Sequence, residues 1–156
     1  MDQSRRVLLK GAGAGGALAA FIAAGVLKPT QVLAAEWNKG AFESKDPEGA
    51  MKGLGVSGAA DSKEVTIKAP DIAENGAVVP VEVESKVPNT QQISIVIEKN
   101  PTPLAASFDF SNGAQPSVAV RLKMGQTSNI KVIAKADGKF YTTSKEVKVT
   151  IGGCGG

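Results

Sequence analysis

The sequence predicts an all-β domain, an immunoglobulin-like antiparallel β-sandwich of about seven strands over residues 63–151. From Lys63 onward apolar and polar residues alternate, which is the pattern of strands with one buried face. Turn-forming glycine, proline, asparagine and aspartate lie between these runs. No segment there has the length of the helix that usually connects two parallel strands. Together these observations favour consecutive antiparallel strands.

Residues 36–62 precede the predicted sandwich as a polar N-terminal segment with one short helix, predicted over Asp46–Gly55. Asp46 is a favourable N-cap, Pro47 suits the first helical position, and glycines follow the helical residues. We interpret this helix as a packing element only.

The apolar positions of the seven predicted strands are Val65/Ile67, Val79/Val81/Val83, Ile93/Ile95/Ile97, Leu104/Ala106/Phe108/Phe110, Val118/Val120/Leu122/Met124, Ile130/Val132/Ala134 and Val147/Val149/Ile151. The Asp137-Gly138 pair is a strong hairpin signal. Pro80 lacks an N–H donor, which predicts an edge strand or a bulge at that position. Glu82 and Glu84 alternate with valines, so we expect them on a solvated strand face and not in paired-carboxylate catalysis.

The first 35 residues are predicted to be a twin-arginine (Tat) signal peptide. Arg5 and Arg6 are followed by a weakly hydrophobic stretch, Gly11–Leu27, and then by the small residues of a signal peptidase site near Ala34. We therefore expect recognition by the Tat translocase, location in the periplasm, and no membrane association after processing. The alternative is an ordinary Sec signal with a chance arginine pair.

The positive charge of the chain belongs to this leader. The whole sequence carries 18 basic and 15 acidic residues, and residues 1–35 hold four of the basic residues and one acidic residue. The remainder has no net charge, so it lacks the positive field that binding to nucleic acid or to anionic membranes requires. We expect neither partner.

The C-terminus is Gly152-Gly153-Cys154-Gly155-Gly156, and Cys154 is the only cysteine in the chain. Four glycines offer no apolar surface for burying a thiol, and ordering their backbone is costly. The sequence therefore predicts an exposed thiol on a flexible arm, residues 152–156, beyond the last strand. A single cysteine cannot form an internal disulfide.

The chain contains no histidine. It therefore cannot form a Cys–His dyad, a Ser–His–Asp triad, a His/Cys zinc site or the copper site of a cupredoxin. We predict no metal and no cofactor, and we expect that any activation of Cys154 is supplied by a partner. Two hypotheses remain. Either the arm carries a group into the clefts of other proteins, or an interaction module uses its tail thiol only for intermolecular disulfides.

Three parts of the sequence together resemble the SoxY family, the sulfur-carrier proteins of bacterial thiosulfate oxidation. They are the terminal Gly152–Gly156, the segment Pro70–Val81 with its Ala73-Glu74-Asn75-Gly76 core, and the twin-arginine leader. The C-terminal motif is the most specific of the three.

The resemblance implies that pathway intermediates are carried covalently on Cys154 and that the protein is not itself an enzyme. It implies a heterodimer with a second β-sandwich protein, SoxZ, and contacts with a c-type cytochrome, a dimanganese hydrolase and, in some organisms, a molybdenum–haem dehydrogenase. The metals belong to those partners. A ubiquitin-like carrier that activates its terminal carboxylate also ends in Gly-Gly. It needs ATP and a different, compact domain, which disfavours that alternative.

Overall fold

The structure is a computed structural model that describes residues 38–150. The predicted signal peptide and the predicted arm lie outside the described residues. Within residues 38–150, no helix is long and apolar enough to cross a membrane.

Two short helices begin the described chain. Helix α1 spans Lys39–Glu43 and helix α2 spans Pro47–Gly53. The prediction for α2 is confirmed: Asp46 is its N-cap, and the carboxylate of Asp46 accepts a hydrogen bond from the N–H of Gly49 at 2.6 Å. Helix α1 was not predicted, because five residues are too few to show a helical period.

Nine strands follow, and their bounds are β1 Ala60–Asp61, β2 Val65–Lys68, β3 Ile72–Ala73, β4 Val79–Ser85, β5 Thr90–Ile97, β6 Leu104–Asp109, β7 Ser117–Leu122, β8 Ser128–Ala136 and β9 Lys139–Val149. All seven predicted strands are present. The two additional ones, β1 and β3, have two residues each and are too short to show an alternating pattern.

The strands form two sheets. The larger sheet has the order β1-β9-β8-β5-β6, with β3 also paired to β9, and the smaller sheet has the order β2-β4-β7. The strand pairs are antiparallel except that β1 and β3 run parallel to β9. The predicted immunoglobulin-like sandwich is confirmed, and its short parallel pairs are the departure from a fully antiparallel arrangement.

Strand β9 is much longer than the sequence predicts. It begins directly after the Asp137-Gly138 hairpin, where both residues have positive φ, 49° and 74°, as a two-residue turn of this type requires. Only its C-terminal part was predicted, because Thr142–Glu146 are polar or charged and hide the alternation. This polar part is a strand because β9 is hydrogen-bonded to β8 over nine residue pairs, which the sequence pattern does not show.

The main core lies between the two sheets. Isoleucines and valines of β4, β5, β8 and β9 are fully buried there. A second cluster lies on the other side of the larger sheet, where Val96, Leu104 and Ile133 pack with Ala41 of α1 and Ala50 of α2. The uninterrupted buried run at the end of β5 is explained by these two cores, because both faces of that strand are covered.

The sequence predicts an edge strand or a bulge at Pro80, and this prediction is wrong. Strand β4 is the middle strand of the smaller sheet, and its pairings contain no register shift. However, β2 pairs only with residues 82–85 of β4, so Pro80 has a neighbour, Arg121 of β7, on one side only. The missing N–H therefore costs no ladder hydrogen bond to β2.

Candidate functional site at the root of the C-terminal arm

The residues that the sequence singles out for function are Cys154, the four arm glycines and the Arg5-Arg6 pair, and all of them lie outside the described residues. The described chain ends at Thr150, four residues before Cys154. The part of the site that the structure defines is therefore the place from which the arm departs. We call Val149 and Thr150 the arm root.

One side of the arm root is held by β3. The N–H of Lys148 donates to the carbonyl of Asp71 at 2.9 Å, and the N–H of Thr150 donates to the carbonyl of Ala73 at 3.1 Å. These bonds set a parallel register in which Ala73 lies opposite Val149. The backbone thus remains hydrogen-bonded up to the last described residue.

The other side of the arm root is held by a side chain. The N–H of Val149 donates to the hydroxyl oxygen of Thr127 at 3.0 Å, and that hydroxyl lies 3.5 Å from the carbonyl oxygen of Val149, to which it donates. Backbone pairing between β8 and β9 ends earlier, at Ser128 and Val147. Thr127 therefore takes the place of a neighbouring strand at Val149.

Gly76 packs directly behind the arm root. It is buried, and its carbonyl accepts a hydrogen bond from the N–H of Met124 at 2.7 Å. A Cβ at this position would overlap the carbonyl oxygen of Met124 and would lie 2.7 Å from a methyl group of Val149. The close approach requires glycine, which gives a physical reason for the Asn75-Gly76 pair in the Pro70–Val81 segment.

Further contacts fix the two segments that hold the arm root. The ammonium group of Lys145 bonds the carbonyl of Ala69 at 2.6 Å and the carboxylate of Asp71 at 2.9 Å. On the other segment, the side-chain amide of Asn100 donates to the carbonyl of Lys123 at 2.7 Å and accepts from the N–H of Gly125 at 3.2 Å. The arm root is thus joined to the rest of the sandwich through both neighbouring segments.

Among the described residues there is no group of three or more histidine, cysteine, aspartate or glutamate residues that could hold a metal ion. Glu82 is exposed, as expected, and lies 3.6 Å from Lys68, while Glu84 is half-buried. An open cavity of about 580 Å³ lies at the other end of the sandwich, beside Asp137. The 11 residues of β9 separate it from the arm root by roughly 35 Å.

Sequence reasoning missed Thr127 as a contributor to this site. A threonine directly before a strand carries no distinctive signal, because its role depends on a residue 22 positions away. Gly76 was named within the segment that carries the family resemblance, but its contact with Met124 and Val149 follows only from the fold.

Comparison with known proteins agrees with this architecture. Residues 52–154 match the family described as sulfur oxidation protein SoxY. The solved structure of the sulfur carrier protein SoxY from Chlorobium limicola f thiosulfatophilum matches with 41% identity and a TM-score of 0.61, covering 67% of this chain and 94% of that one.

A second solved structure, an engineered protein, has 11% identity, and the match covers 56% of this chain and 20% of that one. Its TM-score of 0.39 is too low to indicate a common fold. No curated protein matches the chain. The family match spans the whole described sandwich and ends at Cys154, and on this basis the chain belongs to the SoxY family of sulfur oxidation proteins.

Proposed function

We propose that the protein is a covalent carrier of sulfur intermediates in periplasmic thiosulfate oxidation and that Cys154 is the attachment point. The observation that carries the proposal is the SoxY family match, which includes Cys154 as its last residue. The chain offers no other thiol and no histidine. Within residues 38–150 there is also no metal-binding cluster. A carrier needs neither a histidine nor a metal site of its own, because its chemistry takes place in the active sites of its partners.

The carrier cycle begins with the joining of thiosulfate to the thiol. An S–S bond forms between Sγ of Cys154 and the sulfane sulfur of thiosulfate, the thiol proton leaves, and two electrons pass to a c-type cytochrome. Water then cleaves the bond between the sulfane sulfur and the sulfonate group, which releases sulfate and one proton and leaves a persulfide, –S–SH, on Cys154. A dimanganese hydrolase is the proposed partner for this second step, and in some organisms a molybdenum–haem dehydrogenase oxidises the remaining sulfur.

The reach of the arm is compatible with delivery to a cleft. Cys154 is the fourth residue after Thr150, and at full extension these four residues span at most about 14 Å. Glycines on both sides of the cysteine limit steric conflict in a narrow channel. The sandwich then remains outside the partner, and a SoxZ-like subunit completes the proposed heterodimer.

Intact-mass analysis tests the attachment. Protein isolated from cells that oxidise thiosulfate is expected to carry reductant-labile adducts with sulfane sulfur, sulfonate or both. The Cys154→Ser variant is the matched control: it should fold with unchanged stability, carry no adduct and support no turnover. If only free thiol and disulfide-linked homodimer are found, the protein is an interaction module with a tail disulfide and the carrier proposal fails.

Location in the periplasm is tested separately. Replacement of Arg5-Arg6 by Lys-Lys is expected to retain the protein in the cytoplasm, because a Tat signal depends on the arginine pair. Unchanged export of that variant, together with dependence on the Sec machinery, would contradict the Tat assignment and leave the carrier chemistry unaffected.

A further inference from the structure

The backbone N–H groups of both arm-root residues are hydrogen-bonded. Chain ends fray unless they are tied down, and backbone pairing with β8 ends two residues before Val149. Nevertheless Val149 and Thr150 are hydrogen-bonded on both sides of the strand, by Thr127 and by Ala73. The backbone of β9 is therefore hydrogen-bonded through the last described residue.

The hydroxyl of Thr127 has the chemistry that this position requires. A threonine hydroxyl is both a donor and an acceptor, so one side chain partners the N–H and the carbonyl of Val149. Valine has nearly the same shape but can do neither. Serine keeps the hydroxyl and loses only a methyl group.

We propose that Thr127 is a positioning residue that fixes Val149 on the β8 side and thereby fixes the position from which the carrier arm departs. The inference rests on the proposed function, in which partners receive Cys154 from this arm. Without this hydroxyl, Val149 would lose both of its hydrogen bonds on the β8 side, and the arm root would be held only by β3, through Lys148 and Thr150. The backbone of Val149, loosened in this way, would have to be ordered again when the arm enters a cleft.

That ordering has a predictable kinetic effect. Fixing the backbone of one residue weakens binding by roughly tenfold. Thr127→Val is therefore expected to raise the KM of a partner enzyme for the carrier by about five- to tenfold. The kcat should stay unchanged, because the thiol and its flanking glycines are the same once the arm is bound.

Amide hydrogen exchange tests the structural part. In the wild type the amides of Val149 and Thr150 should be protected. In Thr127→Val the exchange of the Val149 amide should accelerate at least tenfold, and that of Thr150, which donates to the carbonyl of Ala73, should accelerate less. Thr127→Ser should restore protection. The matched control is Thr142→Val. It removes a threonine hydroxyl from β9 that donates to the carbonyl of Val132 at 3.0 Å, far from the arm root. It should leave Val149 and Thr150 protected.

Steady-state kinetics tests the positioning role, with the cytochrome that loads thiosulfate as the enzyme and the full-length carrier as the varied substrate. A raised KM in Thr127→Val, rescue in Thr127→Ser and wild-type behaviour in Thr142→Val support the proposal. Faster exchange without a change in KM overturns it, and so does unchanged exchange in Thr127→Val. If the wild type is not loaded and Cys154→Ser makes no difference, the proposed function fails and the positioning role fails with it. The exchange data then still report whether Thr127 holds the strand.

Discussion

Gly76 and Met124 meet so closely that the carbonyl of Gly76 bonds the N–H of Met124 at 2.7 Å, and no Cβ fits beside the carbonyl of Met124. The Gly76 backbone does not adopt a positive φ, so space and not conformation requires glycine. Gly76→Ala should lower the free energy of unfolding by about 1–3 kcal/mol through overpacking. Urea denaturation measures this loss.

The control for Gly76 lies on the opposing segment. A Cβ at Gly125 would meet nothing closer than an Asn100 side-chain oxygen at 4.0 Å. Gly125→Ala should therefore change the free energy of unfolding by less than about 0.5 kcal/mol. If the two alanine variants lose equal free energy of unfolding, the neighbours of Gly76 move aside without a loss of stability and the prediction is wrong.

The capping of α2 provides a second prediction. Asp46→Ala removes the acceptor for the N–H of Gly49 and should lower the free energy of unfolding by about 0.5–2 kcal/mol. Asp46→Asn keeps a capping oxygen and should retain most of the stability. Thermal and urea unfolding of the two variants measure the difference, and a loss as large in Asn as in Ala would contradict the capping role.

Two isoleucines, one buried in the core and one exposed at the surface, test the burial that the structure assigns to each. Ile95 is fully buried between the sheets, whereas Ile72 is 57% exposed. Ile95→Ala should cost about 2–5 kcal/mol through lost burial and the cavity left behind. Ile72→Ala, the same chemical change, should cost less than about 1 kcal/mol. Comparable losses in urea denaturation would mean that one of the two side chains is misplaced.

Glu98 should make the free energy of unfolding depend on pH in the acidic range. A hydrogen bond from Asn129 and the charge of Lys131 hold the pKa of Glu98 below its ordinary value, against the opposing effect of partial burial. Because the folded-state pKa is the lower one, the contribution is present above the ordinary carboxylate pKa and is lost as pH falls through the lowered value.

The variant Glu98→Gln isolates this contribution. Wild type should be more stable than Glu98→Gln at pH 7 by no more than about 1 kcal/mol, since the pair is partly exposed, and the difference should shrink as the pH falls to about 3. Urea unfolding across this range is the measurement. A constant difference between the two proteins would show that the stabilisation does not depend on the ionised carboxylate.

Local signals explain which parts of the fold were predictable. The alternation in Val79–Ser85 and in β5, the Asp137-Gly138 turn and the cap at Asp46 each depend on neighbouring residues, and each was confirmed. The polar first half of β9 was not predicted, because it forms a strand through pairing with β8 and not through a local alternation of its own. The two-residue strands β1 and β3 exist only because β9 lies beside them.

The site divides in the same way. Cys154 and its glycines are conspicuous in the sequence, and their role as carrier arm stays a prediction. The residues that hold the arm root are inconspicuous, because Thr127 and Gly76 act on Val149 across long sequence separations. No local pattern encodes such contacts.

Strand β9 also determines how the protein bears mechanical load. It is paired with β8 over nine residue pairs and with β1 and β3 on its other edge, and these hydrogen bonds lie across the strand axis. A pull directed along that axis is therefore shared by many bonds in shear and does not open them one at a time. A partner protein that pulls on the C-terminus in this direction would be resisted by the hydrogen bonds of β9 to β8, β1 and β3 together.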